Sequence, residues 1–192
     1  MRLIAAALLA GLLSAQPAPP PVRVLVRSEL GDFEVAVELS RAPVTAANFL
    51  QYVDGRFYDG GAFHRTVTPT NQPDDAVKIE VIQAGINAAR NPDRFPPIAL
   101  ERTNLTGLRH LDGTISMARS TAPDSGRSDF FICIGDQPSL DFGGARNRDG
   151  QGFAAFGRVT RGMDVVRRIH QSANSEAQRL TPPIRILSIS RL

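Results

Sequence analysis

The chain has 192 residues, 42% of them hydrophobic, which is enough for one domain with a real core, and no internal repeat suggests two. Its formal charge of +3 comes from scattered arginines with Lys78 the single lysine, so there is no basic cluster interleaved with aromatics and nucleic-acid binding is excluded. The one cysteine, Cys133, has no partner, which excludes a disulfide framework and predicts a buried, small apolar side chain.

Residues 1–15 are predicted to be a signal peptide: Met1-Arg2 gives a positive start, residues 3–13 form an apolar run, and Ser14-Ala15 offers small residues for cleavage. The run is about half of the ~20 residues that a membrane-spanning helix needs, so export to the periplasm or outside is expected, with no membrane contact after cleavage. Residues 16–21 are a proline-rich leader that should stay extended, and residues 22–192 form the folded domain.

The domain opens with alternation of period two. Val22, Val24 and Val26 alternate with Arg23, Leu25 and Arg27; after a turn at residues 29–31, Phe33, Val35, Val37 and Leu39 alternate with Glu34, Ala36 and Glu38. That predicts a half-buried hairpin. Pro43 at a first-turn position, with Phe49, Leu50 and Val53 on one face and Gly55 as a stop, predicts a helix of three turns plugging one end of whatever the strands enclose.

Arg-Phe-Tyr-Asp-Gly-Gly-Ala-Phe-His-Arg over residues 56–65 reads as a glycine turn running into a strand. Residues 66–78 are polar and contain proline, as a surface loop would, before strand character returns at residues 79–82 and Gln83-Ala84-Gly85 follows. Residues 96–101 read as a short strand. Thr114–Ala118 and Phe130–Ile134 are two apolar runs around a polar loop, hence a second hairpin. Residues 152–159 predict another strand, Met163, Val166 and Ile169 a second helix, and residues 184–189 a last strand after Pro182-Pro183. Many short strands and two separated helices fit a mainly β fold, a closed antiparallel barrel with a helix over each mouth.

Five segments in series, Phe-His-Arg (63–65), Gln-Ala-Gly (83–85), Gly-Thr-Ile-Ser-Met-Ala (113–118), Ser-x-Phe-Phe-Ile (128–132) and Phe-Gly-x-Val (156–159), resemble the cyclophilin-type peptidyl-prolyl isomerases from residue 22 to the end. The resemblance implies an eight-stranded barrel and an enzyme that needs no metal or cofactor. Its partners would be unfolded or flexible polypeptides containing X-Pro bonds, and a monomer suffices. It puts the catalytic arginine at Arg65 and a carbonyl-holding amide at Gln83. Phe131 becomes the floor of a proline pocket and Leu140 and Phe153 its wall, the backbone of Ala118 and Arg119 pairs with substrate, and Phe63 and Met117 are further substrate-binding candidates. Residues 66–78 are then an insertion, Glu80 stands where an apolar pocket residue is usual, Phe153 replaces a histidine, and Ser139 replaces the tryptophan of the best-known members. The last of these predicts weak cyclosporin binding.

The chemistry also follows from the residues. Rotation about an X-Pro bond is opposed by about 20 kcal/mol because nitrogen lone-pair density is shared with the carbonyl. A cationic donor near that nitrogen localises the pair, an apolar slot holds the ring, and no nucleophile is required. Arg65 is a permanently charged donor. Taken singly, Arg65 and His64 would be solvated strand residues, and Met117, Phe130, Phe131 and Phe153 would be core. Asp129 and Asp141 as an acid–base pair lack a third group. A binding module without catalysis, suggested by Glu80 and Phe153, is the alternative; a barrel with a ligand in its lumen would need a cavity that so many Val, Ile, Phe and Leu side chains should fill.

Overall fold

The computed structural model describes residues 19–174 and 178–192. The expected signal peptide and the first part of the leader lie outside the described residues. Eight antiparallel strands close into a barrel in the order β1-β2-β7-β5-β6-β4-β3-β8. They are β1 Val22–Ser28, β2 Gly31–Val37, β3 Ala62–Val67, β4 Val81–Gly85, β5 Thr114–Met117, β6 Phe130–Cys133, β7 Ala154–Arg161 and β8 Arg179–Arg191.

Alternation builds the interior. Val24 and Val26 of β1 face Val35 and Phe33 of β2 across the hairpin, and all four are at most 1% exposed. Ile82, Ile115, Ile132 and Phe156 fill the lumen at 0% exposure, so it holds side chains and no ligand cavity. Helix α1, Pro43–Asp54, lies where β2 ends and β3 begins. From it Phe49 packs on Tyr58, Phe130 and Phe156 with ring centroids 5.1–5.5 Å apart. Helix α3, Met163–His170, covers the opposite mouth, where His170 Nε2 bonds the Val67 carbonyl at the far end of β3.

Gly55 does end α1, for a reason the sequence did not suggest. Its φ is −78°, and the left-handed residue is Arg56 at φ 54°. A Cβ on Gly55 would stand 2.7 Å from the Phe57 ring, so the missing side chain makes room for an aromatic.

Several expectations need correction. Residues 96–101 form no strand, only a bridge from Ile98 to Gly126, because Pro96 and Pro97 lack N–H donors and the Leu100 N–H is taken by Asp124 Oδ1. A one-turn helix α2, Thr103–Thr106, and a 3-10 turn at Pro138–Leu140 add to the two helices expected. The last strand is longer than residues 184–189. It absorbs Pro182 and Pro183 at an irregularity in its pairing with β3, between Phe63↔Ile184 and Arg65↔Arg179, where no ladder donor is required.

Residues 66–78 are also more than a surface loop. Thr66 and Val67 complete β3, and Gln72 is 1% exposed, donating to the carbonyls of Thr68 and Ile79. Arg146, from the loop after the 3-10 turn, clamps the segment by donating to Gln72 Oε1 and the Val77 carbonyl and pairing with Asp75 at 3.0 Å.

Candidate active site

A β-bulge sets the site's geometry. Strict alternation would put Phe63 and Arg65 on the same face of β3. The pairing runs Phe63↔Ala84 and then Arg65↔Gln83, so His64 is an extra residue that has no partner on β4. The face therefore switches. Phe63 turns into the lumen at 0% exposure, packed on Phe33 and Phe130, and Arg65 turns outward. Phe63 is thus a core residue and does not belong to the pocket. Met117 is corrected in the same way: it pairs with inward-facing Phe130 and is 2% exposed in the barrel core.

On the outer face the ladders read straight across. Arg65 of β3 is opposite Gln83 of β4, which is opposite Phe131 of β6. These three border one pocket of about 190 Å³, and Ala118, Arg119, Leu140 and Phe153 complete its rim together with Ile79 and Val81. That is below the ~300 Å³ at which pockets take drug-sized ligands, and it suits a single small ring. A larger hollow of about 480 Å³ elsewhere is bordered by Arg41, Arg109 and Arg158, by Glu38, Asp112 and Asp136, and by Leu108 and Leu111, with no aromatic ring in its lining.

The sequence marks Ile79 only as the start of a strand, whereas β4 begins at Val81 and Ile79 serves as a pocket residue on the face of Val81 and Gln83. Glu80 lies on the other face, its carboxylate 3.8 Å from His170 Nε2, so the departure at that position does not enter the pocket.

The floor is a stack. Phe153 meets the Phe131 ring edge-on, with centroids 5.3 Å apart, and His110 lies parallel to Phe131 at 5.9 Å. His110 is fixed on both sides, by Asp141 Oδ1 at 2.7 Å from Nδ1 and by Ser116 Oγ at 2.9 Å from Nε2. Burial works to raise the Asp141 pKa, and the side-chain and backbone hydrogen bonds from His110 outweigh it, leaving the carboxyl below its ordinary value. Ser116, His110 and Asp141 have the connectivity of a hydrolytic triad. With Ser116 at 0% and His110 at 1% exposure no substrate can reach the hydroxyl, and the network acts as a support for Phe131. Sequence reasoning missed it because Asp141 meets His110 from 31 positions away.

Arg119 borders the pocket with its chain while its side chain, 2% exposed, is spent on structure. It donates to the carbonyls of Gly152, Ser120 and Thr121 and to both Asp149 oxygens, and its guanidinium lies 5.2 Å from the Phe153 ring centroid. Cys133 is buried against this patch, and burial pushes its thiol well above the ordinary range, which makes it unreactive.

Arg65 is held at three of its five N–H groups. Nη1 donates to Gln83 Oε1 at 2.9 Å, while Nε and Nη2 both donate to Gln178 Oε1, at 2.9 and 2.5 Å. One N–H on each terminal nitrogen is left over. Burial, then the charge of Arg146, lower the Arg65 pKa and Asp75 offsets part of this, yet an arginine starts so high that it stays protonated. Gln83 in turn donates to Asp129 Oδ2 at 3.4 Å, a carboxyl whose pKa burial raises and nearby His64 lowers.

The family model "Cyclophilin type peptidyl-prolyl cis-trans isomerase/CLD" matches residues 22–191. The chain is 38% identical over 148 residues to peptidyl-prolyl cis-trans isomerase A of Dickeya dadantii, covering 77% of this chain and 70% of that one. It is 33% identical over 164 residues to a peptidyl-prolyl cis-trans isomerase of Acinetobacter baylyi, covering 85% and 80%. In fold it is similar to a Cryptosporidium parvum cyclophilin type peptidyl-prolyl cis-trans isomerase, with TM-score 0.71 and 18% identity over 90% of this chain and 98% of that one. A closed barrel, an outward arginine beside an apolar slot and a match across the whole folded domain agree, and the chain belongs to the cyclophilin-type peptidyl-prolyl cis-trans isomerase family.

Proposed function

We propose that this chain is a monomeric isomerase of X-Pro bonds in unfolded or flexible segments of exported proteins, acting in the periplasm or outside the cell after removal of residues 1–15. The observation that carries the reading is the side-by-side placing of Arg65, Gln83 and Phe131 around one open pocket. A prolyl ring on Phe131, walled by Leu140, Val81 and Phe153, leaves its imide nitrogen to face the guanidinium. A free Arg65 N–H localises the lone pair there, weakens the partial double bond and lowers the rotation barrier. Gln83 holds a flanking carbonyl. The backbone of Arg119, whose N–H and C=O have no hydrogen-bond partner among the described residues, is available to pair with the substrate as an added strand. Export fits the apolar start of the chain, since uncatalysed prolyl isomerisation takes tens of seconds and delays folding where no other agent speeds it.

The test is a coupled assay on a short Xaa-Pro peptide. Arg65→Ala should lower kcat/KM by about 10²–10³-fold with an unchanged circular dichroism spectrum. Turnover absent from the native protein while it still binds proline peptides would make it a binding module instead. Mass spectrometry of a periplasmic fraction, showing a mature N-terminus after Ala15, tests the site of action.

A further inference from the structure

We propose that Gln178 is a positioning residue for Arg65, and that the inserted segment of residues 66–78 serves to hold Gln178 in place. The inference rests on the reading of Arg65 as the donor and adds to it a second amide that the five matching segments do not contain. Gln178 Oε1 accepts from both Nε and Nη2 along one edge of the guanidinium, whereas Gln83 Oε1 takes Nη1. A guanidinium gripped from two sides cannot rotate about its last torsions, so substrate meets it already aimed. Both clamps are neutral amides. They fix orientation without cancelling the charge that a carboxylate would pair away.

Gln178 is itself tied down. Its Nε2 donates to the Asn71 carbonyl at 3.1 Å, and its own carbonyl accepts the Thr66 N–H at 2.9 Å. Asn71, in the inserted segment and 8% exposed, donates to the Thr66 carbonyl and to Asn174 Oδ1 and accepts the Thr68 N–H. Arg146 pins the rest of the segment through Gln72, Asp75 and Val77, so the chain from insertion to guanidinium has no loose link. Gln178 also sits at φ 64°, a left-handed conformation that favours glycine. A position needed only for the backbone turn would be served better by glycine, so an amide kept there points to its side chain.

That conflict supplies the experiment. Gln178→Gly relieves the backbone while deleting the clamp, and Gln178→Met keeps the side-chain length while deleting the acceptor. Each is expected to lower kcat on an Xaa-Pro peptide by about 10–100-fold. Peptide Kd should change less than about twofold, and the melting temperature of the glycine variant should not fall. In ¹H–¹⁵N spectra the Arg65 Nε–H signal, protected in the native protein, should broaden or exchange away in both variants. Asn71→Ala should shift kcat and that signal in the same direction by less. The proposal is overturned by native kcat in either folded variant, or by an Arg65 Nε–H signal that stays protected in both. Should the native protein itself turn over no peptide, the isomerase reading fails, and the Nε–H signal still decides whether Gln178 holds Arg65.

Discussion

Gln83 Oε1 accepts from Arg65 Nη1 at 2.9 Å across the β3–β4 ladder, while the same amide donates to Asp129 at 3.4 Å. One side chain therefore orients the cation and partly satisfies a carboxyl whose burial disfavours its charge. Gln83→Ala removes both roles. It should lower kcat/KM by about 10–100-fold in the coupled peptide assay, with Arg65→Ala adding less to it than to the native protein, because the two act as a unit. Additive losses would mean that Gln83 does not work through Arg65.

Asp141 should make stability pH-dependent in a defined direction. Its carboxyl titrates below the ordinary ~3.9 because it accepts from the backbone and ring N–H groups of His110. A depressed pKa gives stability that is present above about pH 4 and lost as pH falls through the lowered value. Hydrogen bonds to a charged group contribute about 1.5–3 kcal/mol, trimmed toward about 1 where solvent reaches the group. Asp141→Asn should thus melt about 2–4 °C lower at pH 7, with the difference closing as the pH falls through the lowered value. A gap that persists at low pH would assign the effect to packing.

Much of the fold was legible because one pattern decided it. Val24, Val26, Phe33 and Val35 alternate without interruption, and Pro43 and Gly55 bracket α1, so local rules sufficed. The site was legible only in part. Arg65, Gln83 and Phe131 stand in recognisable segments, but placing Phe63 depended on a bulge at His64 that leaves no mark in a pattern of period two. Asp141 and Gln178 act through contacts between segments distant in sequence, Asp141 reaching His110 across 31 positions and Gln178 reaching Arg65 across 113. Pro182-Pro183 hid the first half of β8 because prolines argue against a strand unless the ladder is irregular where they sit.

Ser139 is expected to weaken the response to cyclosporin. It lies in the 3-10 turn that delivers Leu140 to the pocket, and the chain has no tryptophan to offer at that rim. Nanomolar cyclosporin should leave peptide turnover intact. Ser139→Trp, by adding a large flat apolar surface, should tighten the inhibitor about tenfold or more, read as an inhibition constant in the same assay. Nanomolar inhibition of the native protein would show that the rim is not the limiting contact.

Arg119 offers a way to separate binding from chemistry. Its side chain ties Ser120 and Thr121 to Gly152 and Asp149 and lies over Phe153, and among the described residues it makes no hydrogen bond to Gln83 or Gln178. Arg119→Ala takes a donor from three carbonyls, leaves Asp149 with the Gln151 N–H alone and uncovers one face of the Phe153 ring, so the pocket wall loosens while the guanidinium of Arg65 keeps its aim. KM for an Xaa-Pro peptide should rise about three- to tenfold with kcat within about twofold, and the melting temperature should fall. Arg119→Lys should not restore KM, because a single ammonium cannot bridge both Asp149 oxygens and the Gly152 carbonyl as the planar fork does. A kcat that drops together with KM unchanged would instead place Arg119 in the chemical step.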